Sequence, residues 1–84
     1  MAENTTNAIN RVIGANVRLL RFKAGLTPAA ASARAHVDSA KWEAWEAGEV
    51  RIGARELYDI IAILDADISE IYAGILPDDS DRPD

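Results

Sequence analysis

The sequence predicts an all-α domain, and three observations carry that prediction. Apolar residues recur every three or four positions, which is the period of a helix with one buried face. Residues suited to helix starts (Thr, Asp) and helix ends (Gly, His, Asp) separate these segments into five. With 84 residues, 49% of them hydrophobic and none of them Cys, the chain has room for one small core without disulfides.

The first predicted helix begins near Asn7 and ends at Gly25. Residues 1–6 are polar, and we expect them to be frayed. The spacing of apolar residues predicts one buried stripe, consisting of Ile9, Ile13, Val17, Leu20 and Ala24 and widened by Val12 and Leu19. Basic residues occupy the remaining surface of this helix: Arg11, Arg18, Arg21 and Lys23.

Residues 27–48 predict two short helices joined by a tight turn. Thr27 suits an N-cap, and Pro28 suits the first helical position, where its missing N–H costs nothing. His36 is expected where the turn needs a positive φ, Asp38 caps the second helix, Ser39–Ala47, and Gly48 ends it. Val37, Trp42 and Trp45 are expected to face inward, against the small Ala and Ser residues of the preceding helix.

Two further helices and a tail complete the predicted organisation. The fourth helix runs from about Ala54 to Leu64, and Asp67 with Glu70 predicts a capping box at the start of the fifth. The fifth helix carries more apolar surface than a short terminal helix hides alone. These residues either close the core or contact a second copy of the chain, and the sequence leaves both open. We therefore expect a domain at residues 7–76 and an acidic, disordered tail at residues 77–84.

The segment from Ile13 to Gly48, IGANVRLLRFKAGLTPAAASARAHVDSAKWEAWEAG, resembles the phage Cro/repressor type of helix-turn-helix, known as the XRE family of DNA-binding regulators. The shared features are Arg21, Leu26-Thr27, Val37, Trp45-Glu46 and Gly48, followed by LYDIIAILDADISEIYAG at residues 57–74. The resemblance implies a five-helix, lambda-repressor-like DNA-binding domain. It also implies an ion pair between Arg21 and Glu46 and structural roles for Trp42 and Trp45.

The same resemblance places helix 39–47 in the major groove of double-stranded DNA and assigns candidate contacts. Base contacts fall to Ser39, Ala40, Glu43 and Ala44, a set without the Arg, Gln or Asn that makes a bidentate base contact. Phosphate contacts fall to Thr27, Pro28, Arg21, Lys23, Lys41, Arg51 and Arg55. Pro28 replaces a Gln that commonly binds phosphate, which leaves backbone N–H groups at that helix start. Each of the cations is alternatively a solvated surface charge.

The charges are divided unevenly along the chain, whose net charge is -5. Residues 1–55 hold eight Arg or Lys and five acids, whereas residues 56–84 hold one Arg and nine acids. A basic half and an acidic half would orient the protein on DNA, because the acidic half is repelled by phosphate. The alternative, that the charges only keep the surface solvated, stays open.

The function expected from these features is transcriptional regulation, by a repressor that binds a palindromic operator as a homodimer, with a regulatory protein partner also considered. The alternative is a protein-binding helix-turn-helix module, such as an antitoxin, an anti-repressor or a complex subunit. A single His and scattered acids offer no catalytic or metal-binding set, so we expect no enzyme, no metal and no cofactor. No apolar run is long enough to span a membrane and no signal-peptide pattern is present, so we expect a cytoplasmic protein.

Overall fold

The computed structural model describes residues 2–75. This part of the chain contains five helices and no strand. The helices are α1 (Ala2–Lys23), α2 (Pro28–Ala35), α3 (Ser39–Ala47), α4 (Ala54–Leu64) and α5 (Ile68–Ile71). The predicted fold class is therefore confirmed. None of the helices in this range is long and apolar enough to cross a membrane. The predicted acidic tail, residues 77–84, lies outside the described residues.

Helix α1 begins earlier than the sequence predicts. It starts at Ala2 instead of near Asn7, so residues 2–6, which we expected to be frayed, are helical. Residues 2–7 contain neither Gly nor Pro, so no residue there opposes an extension of the helix towards its N-terminus. At the other end, Lys23 is the last helical residue and Gly25 adopts a positive φ of 74°.

Local hydrogen bonds and backbone angles define the helix-turn-helix segment. The Thr27 hydroxyl accepts from the N–H of Ala30 at 3.0 Å, and the Asp38 carboxylate accepts from the N–H of Lys41 at 3.0 Å. His36 has the left-handed conformation expected of it, with φ 60° and ψ 38°, and Gly48 ends α3 with φ 74°. These starts and ends were predicted correctly, because each depends on residues only a few positions apart.

The core consists of apolar side chains from all five helices. Its buried members are Val17, Leu20, Ala31, Trp42, Trp45, Leu57, Ile60, Leu64 and Ile71. The two tryptophan rings meet edge to face, with centroids 5.7 Å apart, which agrees with the inward placement predicted from their spacing. Trp42 also contributes the largest fully buried side chain.

Four residues of the predicted α1 stripe lie outside this core: Ile9, which is 37% exposed, Val12, Leu19 and Ala24. Leu19 is 54% exposed, because it lies about 200° around the helix from the buried Val17. Ala24 is exposed because it follows the last residue of α1 and belongs to the turn. The predicted stripe was therefore too wide at Val12 and Leu19, and too long at both ends, at Ile9 and at Ala24.

Two glycines bring α1 and the end of α3 into backbone contact. A Cβ atom built on Gly14 would lie 2.3 Å from the carbonyl oxygen of Trp45, and one on Gly48 would lie 2.6 Å from the Cα of Arg11. Any side chain at either position would push the two helices apart. The sequence analysis assigned no role to Gly14, since a glycine inside a helix carries no local signal of what it packs against.

An asparagine side chain joins the last helix to α1. The Asn16 amide nitrogen donates to the carbonyl oxygens of Ile71 at 2.7 Å and Ala73 at 2.9 Å. The predicted capping box between Asp67 and Glu70 is present, and in it the N–H of Asp67 donates to Glu70 Oε1 at 2.8 Å. Of the apolar residues that the sequence left unassigned, Ile71 is fully buried and closes the core, whereas Ile68 is 48% exposed.

We predict that Gly14→Ala lowers the free energy of unfolding by about 1 to 3 kcal/mol, because the methyl group meets the α3 carbonyl oxygens. At an open helical site the same change stabilises by roughly 0.5 to 1 kcal/mol, so the sign of the effect is informative. Urea unfolding followed by circular dichroism gives the value. Gly25→Ala is a comparison variant: it meets no atom within 4 Å but lies at a φ of 74°, so its loss of stability measures backbone strain alone, whereas Gly14 is helical and Gly14→Ala measures the steric contact alone. A more stable Gly14→Ala variant would contradict the close approach of α1 and α3.

Candidate nucleic-acid interface

Helix α3 has one buried side and one exposed side. Trp42 and Trp45 lie in the core on the buried side. On the other side Ser39, Ala40 and Glu43 are exposed and Ala44 is half-buried. The four residues predicted to contact bases therefore lie on the part of α3 that the rest of the chain leaves accessible, or partly accessible for Ala44.

Three alanines lie along the middle of the outward side of α3. Ala40, Ala44 and Ala47 follow the spacing i, i+4 and i+7, which places them in one row along the helix. Ala47 is exposed and belongs to this row, although the sequence analysis omitted it; the same spacing rule would have included it. Glu43 borders the row on one side and Lys41 on the other, so α3 presents a smooth surface with one charge of each sign at its edges.

The Glu46 carboxylate fixes α3 to α1 from behind. Its Oε2 atom accepts from Arg21 Nε at 2.6 Å and from Trp42 Nε1 at 2.6 Å, and its Oε1 accepts from Arg21 Nη2 at 3.1 Å. Arg21 Nη1 in turn donates to the carbonyl oxygen of Leu26 at 2.8 Å. This hydrogen-bond network agrees with the ion pair expected from the family resemblance, and it includes the tryptophan N–H as well.

Two of the predicted phosphate contacts do not fit the structure. The Arg21 side chain is only 6% exposed and its guanidinium is already bonded to Glu46 and Leu26, so it is not free to reach DNA. Lys23 lies about 200° around α1 from Arg21, on the side turned away from α3. It borders a depression shared with Asp65 and Glu70 of the acidic half.

The start of α2 offers less to a phosphate than the sequence predicts. Pro28 has no N–H, and the N–H of Ala30 is taken by the Thr27 hydroxyl. The N–H of Ala31 donates to the Thr27 carbonyl oxygen at 2.9 Å. Among the described residues the N–H groups of Thr27 and Ala29 have no hydrogen-bond partner, so they remain as donors for a phosphate at this helix start.

The other predicted cations are exposed, but of these only Lys41 lies on α3 itself: Arg51 borders a depression with residues of α1 and α4, and Arg55 borders one between α2 and α4. Lys41 holds its amine 5.6 Å from the centre of the Trp45 ring, Arg51 follows α3 in the connection to α4, and Arg55 lies beside His36 and Asp59. Arg18, which the sequence analysis left as a surface charge, borders a shallow depression with Pro28, Glu43 and Ala47. Arg18 thus belongs to the α3 side of α1. Its position three residues before Arg21, on an adjacent face of the helix, was the available signal.

Carboxylates accompany these cations. Asp38, Glu43 and Glu49 are all exposed at or beside α3. The Asp38 carboxylate is partly occupied by its cap to Lys41 N–H, whereas Glu43 has no such bond in the described part of the chain. No cluster of three or more His, Cys, Asp or Glu in residues 2–75 is arranged to hold a metal ion. The α3 side is therefore electrostatically mixed rather than uniformly positive.

Helices α2 and α3 form a helix-turn-helix unit: they are short, a left-handed residue, His36, lies in the turn between them, and one side of α3 is exposed. The chain belongs to the helix-turn-helix domain family, whose family model matches residues 12–72 and which is part of the XRE-like group. The resemblance seen in the sequence is thereby confirmed. Neither the characterised proteins nor the solved structures contain a significant match to the chain.

We predict that Glu46→Ala lowers the free energy of unfolding by about 3 kcal/mol, because it leaves the buried Arg21 guanidinium and the Trp42 N–H without their acceptor. The double variant Arg21→Met with Glu46→Leu should recover part of that loss, since the unpaired charge is then absent. Urea unfolding of Glu46→Ala measures the loss, and that of the single variants Arg21→Met and Glu46→Leu and of the double variant measures the coupling. Glu49→Ala serves as the exposed control. Strictly additive losses would show that the two side chains do not act together.

Proposed function

We propose that the protein is a DNA-binding transcriptional regulator that places α3 in the major groove. The observation that carries this proposal is the division of α3, whose inner side is locked by two tryptophans and Glu46 while its outer side is accessible. A helix fixed from behind can be inserted into a groove without rearrangement, which keeps the cost of binding low. Membership of the helix-turn-helix family supports the same role.

Direct readout by this α3 rests on a few small contacts. Ala40 and Ala44 can touch thymine methyl groups, Ser39 can bond either type of base edge, and Glu43 can accept from a cytosine amino group. None of these is a bidentate contact. We infer that phosphate contacts by Lys41, Arg51 and Arg55, with Arg18 added from the structure, supply most of the affinity.

The proposal extends to a homodimer on a palindromic operator with half-sites about one helical turn apart, acting as a repressor that occludes a promoter. Two copies double the number of weak base contacts, which is how a module with limited readout gains specificity. The exposed Ile68 on α5 is the apolar residue in the described range that supports a contact near the C-terminal helix. The proposed regulator carries out no catalysis and needs no cofactor.

We predict that Lys41→Ala and Arg51→Ala each weaken DNA binding on all sequences and reduce the slope of log K against log salt by about 0.9, the effect of losing one phosphate contact. Fluorescence anisotropy at several salt concentrations measures this slope, first on DNA upstream of the gene and then on a duplex enriched from a random pool. Lys23→Ala is the matched control, because Lys23 is exposed but turned away from α3. If Lys23→Ala changes the slope as much as the other two variants, the placement of the interface is wrong.

We further predict that Ala40→Glu lowers DNA affinity by at least about tenfold while the unfolding free energy stays within about 0.5 kcal/mol of the parent, since Ala40 is exposed. The added carboxylate would lie in the centre of the α3 surface and face the negative groove. Anisotropy titration and urea unfolding of the same preparation provide both values. Unchanged affinity would remove α3 from the interface even if the protein binds DNA elsewhere.

The second candidate function is a helix-turn-helix module that binds protein, as in an antitoxin, an anti-repressor or a subunit of a complex. It is favoured by the alanine row of α3 and by the carboxylates of Asp38, Glu43 and Glu49 around it. Small side chains permit close packing against another protein, whereas carboxylates repel phosphate. The salt titration separates the two functions: absence of DNA binding even at low salt, on both duplexes, favours the protein-binding module.

A further inference from the structure

Helix α1 carries a second row of apolar residues on the side opposite the core. We name this row the outer seam, and it consists of Ala8, Val12, Ala15, Leu19 and Phe22. Its largest members are exposed, Leu19 by 54% and Phe22 by 60%. None of the five residues is part of the buried core. Val12 is half-buried near Gly74, and the other four residues are exposed, so packing within the described chain covers only a small part of this row.

The spacing of the outer seam is that of helices that pack side by side. Successive members are separated by four, three, four and three residues, which averages 3.5 and is the heptad repeat of coiled coils. Small residues (Ala8, Ala15) alternate with larger ones (Val12, Leu19), so recesses for the side chains of a partner helix lie between projecting groups. The row covers 15 residues, a length of about 22 Å, which is long enough for two heptads.

The charges beside the outer seam indicate which charge its partner should carry. Arg11, Arg18 and Lys23 are exposed along its borders. The ion pair found among the described residues, Arg21 with Glu46, involves none of them. The guanidinium groups of Arg18 and Arg21 lie 5.6 Å and 4.8 Å from the centre of the Phe22 ring, so two cations contact the end of the seam, and of these Arg18 is the exposed one. Among the described residues the nearest acids share depressions with two of these cations, Asp65 and Glu70 with Lys23 and Glu43 with Arg18, but none of them forms an ion pair with Arg11, Arg18 or Lys23.

A second copy of the chain fits these charges poorly. If two α1 helices paired in antiparallel fashion about Ala15, Arg11 of one copy would face Arg18 of the other, and parallel pairing would also bring cations together. Like charges at such flanking positions oppose association. The seam matches instead a helix whose own flanking positions are acidic.

We propose that the outer seam binds an amphipathic helix of a partner protein, one with apolar residues at heptad spacing and Asp or Glu at the flanking positions. The apolar row supplies the contact area, and Arg11, Arg18 and Lys23 select the acidic flanks. The proposal does not depend on DNA binding, because the apolar row of the seam is separate from the outward side of α3, although Arg18 borders both surfaces. An anionic membrane would share the sign of charge, but a narrow row with two alanines buries little area in a lipid surface.

The probe is a synthetic helical peptide of three heptads with Leu at the a and d positions and Glu at the flanking positions. The matched probe carries Lys at the flanking positions and is otherwise identical. Fluorescence anisotropy with the full chain should show binding of the Glu peptide and at least about tenfold weaker binding of the Lys peptide. Equal binding of the two peptides, or no binding of the Glu peptide, would overturn the proposal.

Variants of the chain test which surface is used. The double variant Leu19→Asn with Phe22→Asn should weaken binding of the Glu peptide by at least about tenfold, whereas the control Tyr58→Asn, at an exposed aromatic residue of α4, should not. The double variant Arg11→Glu with Arg18→Glu should reverse the preference, so that the Lys peptide binds more tightly. A reversal of this kind is not produced by loss of folding, and circular dichroism checks the fold of each variant.

Two other occupants are distinguished by the same proteins. Sedimentation equilibrium of the parent chain measures self-association, and vesicles of phosphatidylcholine with phosphatidylserine measure lipid binding. Self-association that is lost in the Leu19→Asn and Phe22→Asn double variant would replace the partner helix by a second copy. Vesicle binding lost in that variant, together with no binding of the Glu peptide, would replace it by a membrane.

Discussion

The orientation of α3 depends on the contact between its C-terminal end and α1. Gly14 and Gly48 remove the side chains that would separate the two backbones, and Glu46 then bonds across the gap to Arg21. The same carboxylate accepts the Trp42 N–H, so the burial of an indole and the burial of a guanidinium are satisfied by one group. The two glycines and the bonds of Glu46 depend on one another, because a larger distance between α1 and α3 would leave the buried Arg21 and Glu46 groups without partners. The contacts on the buried side of α3 therefore fix the orientation of its exposed side.

Local features of the fold were predictable, and contacts between distant residues were not. Thr27, His36, Asp38 and Gly48 act within one turn of chain, so their residue types identify the ends of α2 and α3 directly. The Asn16 bonds to residues 71 and 73 join positions more than 50 residues apart. No spacing rule brings such positions together, and only the packed fold shows that an asparagine on α1 ties the last helix to the domain.

For the candidate interface, the exposed side of α3 was predictable from the sequence, whereas the roles of the cations were not. Which side of α3 faces outward follows from the helical period and the two tryptophans, and the structure agrees with that placement. Whether each cation is free to contact a phosphate depends on its burial and its position, and residue type alone does not reveal either. Arg21 is consumed by Glu46, Lys23 lies on the far side of α1, and Arg18, previously without a role, borders Glu43 and Ala47. A list of basic residues is thus a list of candidates until each is placed against the others.

Helix α1 combines two apolar rows with different periods, and Arg18 lies between them. The inner row packs on α3, α4 and α5, and the outer seam remains accessible. Arg18 covers the Phe22 end of the seam and also borders the depression beside Glu43 on the α3 side. An acidic helix on the seam would pair with this guanidinium and so reduce the positive charge available to a phosphate near α3. Binding of the partner helix and binding of DNA would therefore oppose each other without a change of fold, because both use the charge of Arg18.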